Sequence, residues 1–128
     1  MNFRQSLLLM LSLSATMTFA AEQYEATINA KSGSGRGKEK TFSFRLQFEK
    51  TDANAFTGEV SSYGSGPCGV ARRVTGLEST EGEFRFNSEE GQLAGCGKLV
   101  FRGKRENEST IIGKMRFQGE DHEFVFKK

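Results

Sequence analysis

The chain of 128 residues has no tryptophan, one proline (Pro67), one histidine (His122) and two cysteines (Cys68 and Cys96). Each scarcity excludes something. Two cysteines and one histidine are too few for a closed structural zinc site, so no metal is expected. A single histidine with no singled-out nucleophile leaves no acid–base pair at a recognisable spacing, and the chain reads as a non-enzyme that needs no cofactor. Apart from the first twenty residues there is no long apolar run, and so no stable membrane span. The 18 Lys and Arg residues nearly balance 16 Asp and Glu, which gives no reason to expect nucleic acid as a partner.

What is present begins with Met1–Ala20. One cation, Arg4, precedes the apolar stretch Leu7–Leu13, and the segment closes on Thr18-Phe19-Ala20 with small residues at the −3 and −1 positions. This is the pattern of a cleavable secretory signal, and its small-residue end reads as bacterial. Residues 21–128 are then one exported domain, placed in the periplasm. In that compartment Cys68 and Cys96 are expected to pair. Closing such a loop stabilises a fold by about 3–4 kcal/mol in the chain-entropy account. Neither cysteine follows the apolar stretch directly, which argues against a lipid anchor.

From Ala21 onward, apolar and polar residues alternate with a period of two. Phe42, Phe44, Leu46 and Phe48, separated by Ser43, Arg45 and Gln47, make the clearest half-buried strand. The same alternation recurs at Tyr24–Ala30, Phe56–Val60, Phe84–Phe86, Leu99–Phe101, Ile111–Phe117 and Phe124–Phe126. In Val70–Leu77, Arg72 falls on the apolar face, which suggests a bulge. No stretch has a helical period. The fold class is therefore all-β, an eight-stranded antiparallel meander. A barrel is favoured because closure removes exposed edges, with a two-sheet β-sandwich as the alternative. Gly58 and Gly113 fall on inward positions, where coiled sheets turn corners. The many inward phenylalanines point to a filled interior. Biotin-binding and lipocalin barrels share the meander, but their tryptophans have no counterpart here.

A meander sends alternate connections to the same end. One end collects the glycine-rich loops around 33–38, 61–67, 88–95 and 119–121 together with both cysteines. The other end is plainer, with short charged loops at 51–53, 79–82 and 104–108. Gly33-Ser34-Gly35-Arg36-Gly37-Lys38 lacks the spacing and the following helix of a phosphate loop, leaving Arg36 and Lys38 as cations on a hairpin loop. Ser61-Ser62-Tyr63-Gly64-Ser65-Gly66-Pro67-Cys68 offers an aromatic on a small-residue loop anchored by cysteine, which suits a contact with another protein. His122 is expected to be a solvated turn residue. Asn107-Glu108-Ser109 fits a glycosylation acceptor, though a bacterial chain would carry no sugar there.

The functional expectation is a periplasmic binding module that engages another envelope or extracellular protein through its stapled end. Inhibition of a hydrolase is one form this could take. Arg36, Lys38, Tyr63, Ser65 and Arg72 are the expected contact residues. The alternative is a carrier holding a small apolar ligand inside the barrel, which requires an interior cavity.

Overall fold

The computed structural model describes residues 21–31, 39–64, 66–91 and 96–128. The expected signal segment, and the loop positions Arg36, Lys38 and Ser65, lie outside them. The protein is an all-β closed barrel of eight antiparallel strands in sequence order: β1 (Glu22–Lys31), β2 (Glu39–Lys50), β3 (Ala55–Tyr63), β4 (Arg72–Glu78), β5 (Glu83–Ser88), β6 (Val100–Asn107), β7 (Thr110–Phe117) and β8 (Glu120–Lys127). One 3-10 turn, Gly66–Gly69, precedes β4. The barrel closes where Glu25 of β1 pairs with Lys127 of β8.

The alternation in the sequence becomes the two faces of the wall. Inward positions carry Tyr24, Phe42, Phe44, Phe48, Phe56, Phe84, Phe86, Phe101, Phe124 and Phe126, all fully buried. An eight-stranded barrel is just wide enough for its interior to be filled by side chains. Here the rings fill it through edge and stacked contacts. Phe117 meets Phe44 at 5.0 Å between centroids, Phe44 meets Phe124 at 5.0 Å, and Phe126 meets Phe101 at 5.5 Å. Phe84, Phe56 and Phe48 continue the chain to Tyr24.

Such a tight wall requires backbones to approach closely. Gly103 of β6 faces Gly113 of β7. A Cβ on Gly113 would stand 2.4 Å from the Arg102 carbonyl oxygen and 2.5 Å from the Phe101 ring, so only glycine fits. The β7–β8 hairpin turns through Gln118 (φ 55°) and Gly119 (φ 82°), the positive pair that matches strand twist.

Three expectations need correction. No bulge occurs at Arg72, because β4 starts there in regular register with Val60 and Arg72 takes an inward position. The register shift lies instead in β6, between Arg105 and Asn107. β3 runs on to Tyr63, so the connection after it is shorter than the expected 61–67 loop. β6 likewise runs to Asn107, which reduces the expected loop at 104–108 to the two-residue turn Glu108–Ser109.

Truncating the centre of the aromatic chain should be costly. Phe84→Ala is expected to lower unfolding free energy by about 3–5 kcal/mol in urea titrations. A loss below about 1 kcal/mol would contradict a tightly packed interior.

Candidate functional site

The two ends of the barrel differ in how they are closed. At one end Cys68 and Cys96 form a disulfide with their Cα atoms 5.4 Å apart. Their strands β4 and β6 are separated by β5, a gap of roughly 9–10 Å at the usual strand spacing. The bridge therefore forms beyond the strand ends, from the 3-10 turn on one side and the segment leading into β6 on the other.

Arg72 braces that bridge. It is buried at 7% exposure, and its two terminal nitrogens donate to the Gly97 and Cys68 carbonyl oxygens, one on each side of the disulfide. Burial pulls its pKa below the usual arginine value, opposed by the Glu89 carboxylate. The expected contact residue is thus enclosed, with its guanidinium committed to main-chain carbonyls. Gly91 fits against the same group: a Cβ there would lie 2.3 Å from the Cys96 Cβ and 3.1 Å from an Arg72 nitrogen. Ser88, also buried, accepts the Leu99 amide at 2.8 Å and donates to the Glu89 carbonyl at 2.8 Å. These bonds tie the end of β5 to the residue that precedes β6.

Tyr63 stands beside this assembly at the end of β3, 59% exposed, with the Arg45 guanidinium over its ring at 6.0 Å. The 3-10 turn lies on the same strand end. A Cβ on Gly69 would fall 2.1 Å from the Ser62 carbonyl oxygen. Val70, the next residue, is 52% exposed. An aromatic and an aliphatic side chain therefore project from a segment fixed by a disulfide, a buried arginine and a close backbone contact. Sequence reading found Tyr63 but placed Val70 in a strand. His122 is not solvated as expected. It takes an inward position opposite Met115, and its Nε2 is buried without a hydrogen-bond partner among the described residues.

The end that reads as plain in sequence carries the larger polar network. Arg105 donates from Nε and Nη2 to the Glu78 carboxylate and from Nη1 to the Tyr24 hydroxyl at 2.7 Å. Tyr24 in turn donates to Glu22 at 2.6 Å. Lys50 pairs with Glu78 at 3.3 Å, and Lys128 lies 3.7 Å from Glu22. Burial alone would raise the Glu78 pKa, but Arg105 and Lys50 hold the carboxyl below its ordinary range. Burial and the bond to Glu22 push Tyr24 up to about 12, against the lowering effect of Arg105. The signal for this network was available. Glu22, Lys50, Glu78 and Arg105 each continue the inward alternation of their strand by one more step.

Among the described residues, no group of His, Cys, Asp and Glu side chains is arranged to hold a metal ion. Nor, among the described residues, is any helix long and apolar enough to cross a membrane. Comparison with known protein families, curated proteins and solved structures finds no match.

Two outcomes are expected from the network. Arg105→Ala leaves the buried Glu78 with Lys50 alone and should reduce stability by about 3 kcal/mol, with part of the loss recovered in the Arg105→Ala/Glu78→Gln double variant. The pH response follows from two shifts. Glu78, depressed in the fold, contributes stability above its unfolded pKa that is lost as pH falls through its folded value. Tyr24, raised from 10.0 to about 12, contributes stability below pH 10.0 that is lost as pH climbs towards 12. Urea midpoints of wild type and Tyr24→Phe across pH 9–12 check this; equal alkaline slopes would refute the Tyr24 assignment.

Proposed function

We propose that this protein is a non-enzymatic binding module, exported to the periplasm, that engages another protein through its disulfide-stapled end. The observation that carries the reading is the fixed presentation of Tyr63. A large, exposed aromatic stands on a strand end against a segment already ordered by Cys68–Cys96 and Arg72. Ordering such a surface before binding lowers the entropic cost of association. Exposed aromatics on rigid mounts are the usual anchors of protein interfaces.

In this reading Tyr63 and Val70 form the apolar contact, and Arg72 acts from within as a positioning residue. Arg36, Lys38 and Ser65, which lie outside the described residues, are proposed as further contacts from the sequence alone, the two cations acting mainly on association rate. A paired disulfide suits an oxidising compartment. The ring-filled interior supports a contact surface over the carriage of an apolar ligand, which needs an open cavity. Inhibition of a hydrolase is the specific form proposed, since a rigid protruding loop end can occupy an enzyme cleft.

Capture from an envelope extract of the producing cells tests this. Wild type is expected to retain a partner that Tyr63→Ala loses by about thirtyfold, equivalent to about 2 kcal/mol at an interface anchor. Glu81→Ala at the opposite end should capture as wild type does. The captured protein should show hydrolase activity that added wild type suppresses. Loss of capture in Glu81→Ala with retention in Tyr63→Ala would assign the contact to the wrong end.

A further inference from the structure

The outer wall of β4–β7 carries a feature that neither end explains. Arg85 of β5 stands directly opposite Arg102 of β6, and Arg102 directly opposite Lys114 of β7. All three side chains are exposed. Among the described residues, none of the three has a carboxylate within ion-pair distance, although other surface cations such as Arg45 and Arg116 do. Like charges directly opposite across strands destabilise a sheet. At the usual strand spacing these three cations cover only ~10 Å of wall. A row of mutually repelling, unpaired cations is therefore held against the preference of the fold.

The surroundings narrow what such a row can receive. Leu77, 44% exposed, lies opposite Arg85, and Val100, 43% exposed, lies beside the row. Two surface grooves flank it, both lined by Leu77, Arg85 and Arg102. Thr75 and Asn87, paired with each other next to the row, supply hydrogen-bonding side chains. The row is also narrow, because Glu123 lies opposite Lys114 at one end and Glu83 sits two residues from Arg85 on the same face. Those carboxylates repel a broad anionic surface such as a membrane, while leaving room for a single strand of negative charge. The apolar flanks match amino-acid side chains better than a sugar–phosphate chain.

We infer that this wall is a second contact surface, which receives an extended acidic segment of a protein partner. Carboxylates on one face of an extended chain recur about every 7 Å, within reach of the two guanidinium groups. Each arginine can hold a carboxylate through two parallel hydrogen bonds. Leu77 and Val100 then cover intervening apolar side chains. The inference does not depend on the stapled end, since it involves neither Tyr63 nor the disulfide.

Fluorescence anisotropy with a labelled heptaglutamate peptide at low ionic strength tests it on the intact protein. Wild type should bind, and Arg102→Glu should weaken binding by about tenfold or more. Arg102→Gln serves as a milder second variant and should weaken binding in the same direction. Both should melt at or above the wild-type temperature, because they relieve the repulsion. Lys127→Glu on β8 makes the same change in net charge as Arg102→Glu and should leave binding near wild type. Equal loss in Lys127→Glu, or no peptide binding at all, would overturn the site. Binding of a single-stranded oligonucleotide or of anionic phospholipid vesicles as tight as that of the peptide would overturn the acidic-segment assignment.

Discussion

The width of an eight-stranded barrel is the constraint to which the rest of this molecule answers. Eight strands leave an interior that one layer of facing side chains can fill. The protein fills it with phenylalanine, whose flat rings interlock from Phe117 at one end to Tyr24 at the other. Closure removes the edges that an open sheet would otherwise expose. It also forces the wall to bend sharply, which is why Gly103 meets Gly113 across β6 and β7 with no space for a side chain on either.

A filled barrel still has two open ends, and these are closed by different chemistry. Where β1 begins and β8 ends, inward charges take over from the rings. Glu22, Glu78 and Arg105 form a connected network with the Tyr24 hydroxyl, shielded from water on one side by the core. At the other end the closure is covalent and main-chain directed. The disulfide draws together segments from two non-adjacent strands, and Arg72 holds a carbonyl on each side of it. Breaking either closure exposes the same aromatic interior, so both ends serve one core.

Surface chemistry divides in a parallel way. The ionic end satisfies its charges internally, whereas the stapled end projects Tyr63 and Val70 from a fixed support. The outer wall adds Arg85, Arg102 and Lys114 in one row. In the proposed reading, the apolar side chains at one end and the cationic row on the side are two different kinds of contact surface on one barrel. Rigidity matters to both, since neither surface would keep its spacing on a mobile loop.

The strands, their inward faces and the disulfide were legible in the sequence because a period of two maps directly onto the two faces of a sheet. The alternation of Phe42, Phe44, Leu46 and Phe48 needed no partner strand to be recognised. Legibility failed where inward positions are not apolar. Arg72 looked like an irregularity because a charge on the core face is costly, and only folding brings the Cys68 and Gly97 carbonyls that satisfy it. For the same reason Arg105 read as a loop residue and Glu78 fell just beyond the expected strand, although they face each other from β4 and β6, strands separated by β5. The cationic row was invisible for another reason: Arg85, Arg102 and Lys114 are distant in the chain, and only strand register sets them side by side. Local periodicity therefore determined the class of fold and the composition of its core. Register and closure, which depend on contacts between distant segments, decided which polar residues became supports and which were left facing outward.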